Sequence, residues 1–187
     1  MIRKTVFFLI LFMSFVHAQE SAVKPDIWAS FRYFLGAWDG VETGRSGYGK
    51  GSREYKLILN EQYLFFSNRS VFKPQEKNPT GEIHEDWTFF SYDRIRNTYV
   101  VRQFNSEGFI NQFVLDSLSA DTSTFVFVTE QLENLPAGFK ARLTYIIQNE
   151  NEFNEKFELA PPGQGYQLFL NNFWKRKNTG NTGNNNE

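Results

Sequence analysis

Phe34 to Gly44 read FLGAWDGVETG, and the reading of this stretch decides the fold. Residues two apart share one face of an extended chain. Gly36, Trp38, Gly40 and Gly44 therefore fall on one side of a first strand. Small residues on that side let another segment lie close, while the Trp plugs one end of the structure. Immediately upstream, Pro25 to Leu35 (PDIWASFRYFL) carries Ile27, Trp28, Phe31, Phe34 and Leu35 on one stripe. With Pro25 near its start and Gly36 as its stop, that spacing predicts a short helix feeding the strand.

Downstream, helical periodicity disappears. Runs rich in Phe, Tyr, Val, Ile and Thr alternate with Gly, Asn, Asp and Pro, and predict strands over 37–45, 49–59, 62–72, 83–92, 97–105, 108–117, 122–131, 139–149, 152–159 and 166–176. Joints such as Asn60-Glu61, Asp93 to Asn97 and Asn149 to Asn151 carry the residues that tight turns demand. Short strands at regular spacing form an antiparallel meander, which closes into a barrel or folds into a sandwich. Closure removes exposed edges. Alternation is clear where Phe109, Asn111, Phe113 and Leu115 oppose Ile110, Gln112, Val114 and Asp116, and where Phe153, Phe157 and Leu159 oppose Asn154, Lys156 and Glu158. Tyr99 to Phe104 is mixed on both faces, as suits a partly polar cavity or a sandwich edge. Gly47, Gly49 and Gly51 lack the strand–helix context of a phosphate loop and read as a flexible hairpin.

The N-terminus has its own grammar. A basic start (Met-Ile-Arg-Lys) precedes the uncharged run Thr5 to Val16 and the sequence Val-His-Ala ending at Ala18. Residues 1–18 are expected to be a secretory signal peptide, cleaved before Gln19. Residues 19–177 then form a single domain, and the apolar-free segment 178–187 (NTGNTGNNNE) a disordered tail. The expected location is periplasmic or secreted, with no membrane span in the mature chain. The chain holds 20 Lys and Arg against 21 Asp and Glu. So even a charge balance offers nucleic acid no general attraction. There is no cysteine, so packing rather than disulfides must supply stability.

The Phe34–Gly44 stretch resembles that of the nitrobindin family, ten-stranded β-barrels similar to fatty-acid-binding proteins, whose signature is Gly-x-Trp-x-Gly-x-Gly-x-Gly. Glu42 stands here where the signature has its third Gly. Ile83-His84-Glu85-Asp86 with the turn at Tyr92-Asp93 is similar to the family's central hairpin, where a His faces the cavity, and Gln103 matches a pocket Gln. The broader class of exported calycin-like domains is the nearer resemblance. The likeness implies an all-β, antiparallel calycin-like barrel of about ten strands with a short N-terminal helix. Nitrobindins hold haem through a His on the last strand, but Tyr166 to Lys177 (YQLFLNNFWKRK) has no His. Tyr166 is the one residue there able to ligate iron. Haem is therefore not expected, nor any other cofactor.

The expected function is binding of a hydrophobic or amphipathic small molecule, with Trp38, His84, Trp87, Tyr99, Arg102 and Gln103 as ligand-binding residues. Aromatics would supply apolar contact and the polar groups orientation. Trp87 shares a face with His84 only if a bulge separates them. Arg102 can face either way, and Arg142 is expected to face water. Glu82, His84 and Asp86 alternate, yet one His makes a poor transition-metal site, so no metal is expected. No nucleophile motif accompanies His84, so the chain is not expected to be an enzyme. The competing reading is an exported structural or interaction protein whose barrel is filled by its own aromatics. An internal cavity of several hundred cubic ångströms separates the two. The oligomeric state is left open.

Overall fold

A computed structural model describes residues 25–177. The signal peptide and the polar tail expected from the sequence lie outside the described residues. Ten antiparallel strands follow one short helical segment: β1 (Gly36–Gly44), β2 (Gly47–Ile58), β3 (Tyr63–Phe72), β4 (Glu82–Asp93), β5 (Thr98–Asn105), β6 (Ile110–Leu118), β7 (Thr124–Glu133), β8 (Lys140–Asn149), β9 (Glu152–Ala160) and β10 (Gln167–Arg176). Each strand pairs with its chain neighbours, and β10 returns to β1 to close a barrel. The closing seam runs from Trp38 opposite Arg176 to Gly44 opposite Leu170. Closure leaves the sheet no unpaired edge. The fold is thus the all-β calycin-like barrel expected from the sequence, rather than a sandwich.

The helical segment differs in kind. It is a 3₁₀ turn over Ala29–Phe34, shorter than the helix expected over residues 25–35. Its job is packing: Phe31 and Phe34 are buried and it lies across one end of the barrel. The Phe31 ring centroid sits 4.6 Å from that of Tyr99 and 4.9 Å from that of Phe125. Phe34 meets Phe153 edge-on at 5.2 Å. Such edge-to-face pairs add about 0.5–1.5 kcal/mol each to plain area burial.

The capped end also satisfies its own polar atoms. Trp28 Nε1 donates to Glu61 O at 2.7 Å and Trp38 Nε1 to Phe34 O at 2.7 Å. Arg176 Nη1 and Nη2 donate to Leu35 O (2.7 Å) and Tyr33 O (2.6 Å), tying the last strand to the plug. The Tyr99 hydroxyl donates to Ile27 O.

Gly49 and Gly51 are not hairpin residues, as the sequence suggested, but inward positions inside β2. A Cβ on Gly49 would lie 2.6 Å from a Phe72 ring carbon, and one on Gly51 2.7 Å from the Trp174 ring. Glycine is needed there because side chains from neighbouring strands already fill the space. Among the described residues no helix is long and apolar enough to cross a membrane.

Candidate functional site

Beyond the plug, the inward faces turn polar. Glu42, Arg53, Asn68, Ser70, Asp86, Thr88, Asn111, Glu155 and Asn172 are all buried. Strand register explains how they meet. Tyr145 on β8 lies opposite Glu155 on β9, Glu155 opposite Asn172 on β10, and Asn172 opposite Glu42 on β1. One row therefore crosses four neighbouring strands. Facing it, Arg53 on β2 is opposite Asn68 on β3, which is opposite Asp86 on β4.

Arg53 and Glu155 bridge the two sides. Arg53 Nη1 donates to Glu155 Oε1 at 2.8 Å, and Nη2 approaches Oε2 at 2.7 Å. Arg53 Nε donates to Asn68 Oδ1 at 2.9 Å. The guanidinium lies over the Trp174 ring at 4.0 Å and the Phe66 ring at 4.7 Å. The Ser70 hydroxyl donates to Glu42. Burial raises the Glu42 carboxyl above its ordinary value, against the opposing pull of Arg53. Two groups of the row make no hydrogen bond although they are buried: the Tyr145 hydroxyl and Asn172 Oδ1.

At the helix-free end the polar wall continues as His84 and Gln103. His84 Nδ1 lies 2.8 Å from Glu107 Oε1, and Nε2 lies 3.4 Å from Asp86 Oδ2. Burial pulls the imidazolium down, but the two carboxylates outweigh it and raise its pKa to about 9. Gln103 Nε2 donates to Asp86 Oδ1 at 3.3 Å and Asn111 Nδ2 to Gln103 Oε1 at 3.0 Å. The opposite wall is apolar: Phe157, Leu159 and Leu170 face inward and are half-buried near the rim. Glu82, His84 and Glu107 each bring a ligand atom within 4.8 Å of the others, a set able to take a divalent cation.

Of the expected ligand-binding residues, the structure brings His84 and Gln103 together, through Asp86. Trp38 and Tyr99 face inward but belong to the plug, where their polar atoms are already bonded. Trp87 does not line the interior. The β3–β4 and β4–β5 registers run unbroken past it, so no bulge turns it inward, and it is 62% exposed on the outer wall. Arg102 also faces out, bonded to Gln112 Oε1 at 2.9 Å and Ser91 Oγ at 3.1 Å. Arg142 faces out too, paired with Glu158. Tyr166, the one possible iron ligand of the last strand, packs against Arg142 on that same outer side. The last strand therefore offers the interior no haem ligand. Sequence reasoning missed Glu42, Arg53, Glu155 and Asn172 as one site. Two cavities, of 680 Å³ and 440 Å³, lie against the outer wall, beside Phe173 and Trp87 respectively, and neither is the internal cavity that separates a binder from a filled barrel.

No family model matches the chain, and no curated protein does. Among the solved structures similar in fold are two. One is Rv2717c of M. tuberculosis, with a TM-score of 0.58 at 11% identity, over 80% of this chain and 96% of that one. The other is the S-type phycobiliprotein lyase CPES of Guillardia theta, with a TM-score of 0.51 at 10% identity, over 80% of this chain and 91% of that one.

Proposed function

We propose that this protein is an exported small-molecule-binding barrel whose guest enters at the helix-free end and is oriented by the polar layer inside. The carrying observation is the buried Arg53–Glu155 pair with its surrounding amides and hydroxyls in the middle of an otherwise apolar barrel. Taking two charges out of water is expensive, and hydrophobic residues of similar volume often serve stability as well or better. A barrel needing only to fold would extend its aromatic filling to the far rim. This one interposes charged and amide side chains before Phe72 and Phe157 face inward near the rim, and the rim has one apolar and one polar wall, the mix that ligand sites use. An amphipathic guest suits that rim, with its polar end toward the inner layer.

Binding rather than catalysis fits the state of His84. Both ring nitrogens are held by carboxylates and its raised pKa keeps it protonated at neutral pH, so it is a poor general base. The phycobiliprotein lyase shares the fold alone, so its named activity lends no substrate to this chain. The nitrobindin-like Gly-x-Trp-x-Gly run supports a barrel of the binding kind without its haem. Export is supported by the N-terminal grammar of residues 1–18.

Titration with Nile red, a neutral environment-sensitive dye, tests the reading. Saturable one-site binding is expected, abolished by Leu159→Trp, which places a bulky ring at the rim. Binding that never saturates, or that ignores Leu159→Trp, would overturn it. Native mass spectrometry on protein expressed from the full sequence reads the second part. A mature chain beginning at Gln19 is expected, and a full-length mass would refute export.

A further inference from the structure

We infer that the guest's polar end is a hydrogen-bond donor, an amine or a hydroxyl, and not the carboxylate that an arginine inside such a barrel would suggest. The inference rests on the binding reading above and adds the chemistry of the head group.

Three cations face the inside of the described barrel, and none is free to meet an anion. Arg53 presents its fork to Glu155, its Nε to Asn68 and its plane to Trp174 and Phe66. Arg176 sits at the plugged end and donates to the backbone carbonyls of Leu35 and Tyr33. His84 is held between Asp86 and Glu107. A guest carboxylate would have to break one of these bonds, and would meet Glu42, Glu155 and Asp86 when it did.

What the interior has spare is acceptor capacity. Glu155 Oε2 already accepts from Trp174 Nε1 and Asn172 Nδ2, each at 3.2 Å. A carboxylate there can only accept, so the Asn172 amide cannot flip, and its Oδ1 is fixed away from Glu155. That oxygen is buried and makes no hydrogen bond; the Tyr145 hydroxyl in the same row is unpaired too but, being donor as well as acceptor, favours neither kind of head group. A buried polar atom left unpaired costs about 1–3 kcal/mol. A donor delivered to Asn172 Oδ1 recovers that cost, whereas a carboxylate oxygen adds repulsion. Glu42, next along the row, is held by Ser70 and adds a carboxylate beside Asn172 for a cationic head group. An amine and a hydroxyl share this donor chemistry.

Displacement of bound Nile red by dodecylamine, dodecanol and dodecanoate isolates the head group, because the three share one chain. Dodecylamine or dodecanol is expected to displace at about tenfold lower concentration than dodecanoate, the factor one recovered hydrogen bond supplies. In Asn172→Leu the preference is expected to collapse, the three compounds then displacing whatever dye is bound at similar concentrations. Dodecanoate displacing as well as or better than the others would overturn the donor inference and leave the binding reading intact. No displacement by any of the three, with no saturable dye binding, would overturn both. Should Asn172→Leu fail to fold, the ranking on the native protein alone decides.

Discussion

The two halves of the barrel interior solve the same problem in opposite ways. Around the plug, Phe31, Phe34, Trp38, Phe125 and Phe153 interlock ring against ring, and the few polar atoms donate to nearby backbone carbonyls. Beyond it, strands of the same register aim carboxylates, amides and a guanidinium at one another, leaving Tyr145 and Asn172 without partners. The first half is a stability device. The second holds interactions that cancel against desolvation, so its residues are explained by what they offer rather than by what they hold together.

That contrast can be broken by mutation. Phe153→Ala removes a ring packed against Phe34, Trp38 and Trp174, and should cost about 3–5 kcal/mol in urea denaturation. Arg53→Met alone should cost a similar ~3–5 kcal/mol, because it strands the Glu155 charge. The two should then part company. Arg53→Met combined with Glu155→Gln leaves no charge behind, and the Gln carbonyl still accepts from Trp174 and Asn172. It should regain most of the loss. A double variant as unstable as Arg53→Met would mean that the polar half is structural in the same sense as the plug.

A smaller effect separates the halves by pH. The plug has no group titrating near neutrality, whereas His84 at the polar rim has its folded pKa raised to about 9 from the ordinary 6.5. A raised pKa contributes stability that is complete below about pH 6.5 and disappears as pH climbs through 9. The contribution is on the order of 2–3 kcal/mol. Native protein should lose that much between pH 6 and pH 10, and His84→Gln should lose much less over the same window. Asp86 runs the other way. Burial opposes its charge, but His84, Arg53 and Thr88 together outweigh burial and hold its carboxyl below the ordinary range, so its share is lost only as pH falls below the usual carboxylate values. Parallel pH profiles for the native protein and His84→Gln would show that the rim ion pairs carry no net weight.

The fold was legible because strand periodicity and turn chemistry are local. Every strand lies within two residues of its expected bounds. The plug was half legible: the stripe of Trp28, Phe31 and Phe34 was visible, but nothing in it distinguishes a 3₁₀ turn from an α-helix. The polar layer was legible in part and overlooked. In residues 48–56, YGKGSREYK, the outward set Lys50, Ser52, Glu54 and Lys56 leaves Arg53 on the inward face with Tyr55. In residues 153–159, Glu155 shares its face with Phe153, Phe157 and Leu159. An ionisable residue on an otherwise apolar face was the available signal. That Arg53 and Glu155 meet, across the barrel and 102 residues apart, depends on closure and was not written in either strand.

Trp87 gives the smallest effect and the cleanest control. As a Trp in the middle of β4, it has the composition of a pocket residue, but unbroken alternation sends it outward beside Phe65, whose ring centroid lies 6.2 Å away. Its one-residue neighbours Asp86 and Thr88 are buried inside. Trp87→Ser should therefore shift stability by no more than about 0.5 kcal/mol, as surface changes do, and leave Nile red affinity unaltered. Thr88→Val, one position along, removes a hydroxyl that donates to Asp86 Oδ1 at 2.9 Å and should cost about 1 kcal/mol. If Trp87→Ser weakened dye binding instead, the guest would lie on the outer wall of β3–β5, and the division of labour inside the barrel would lose its functional half.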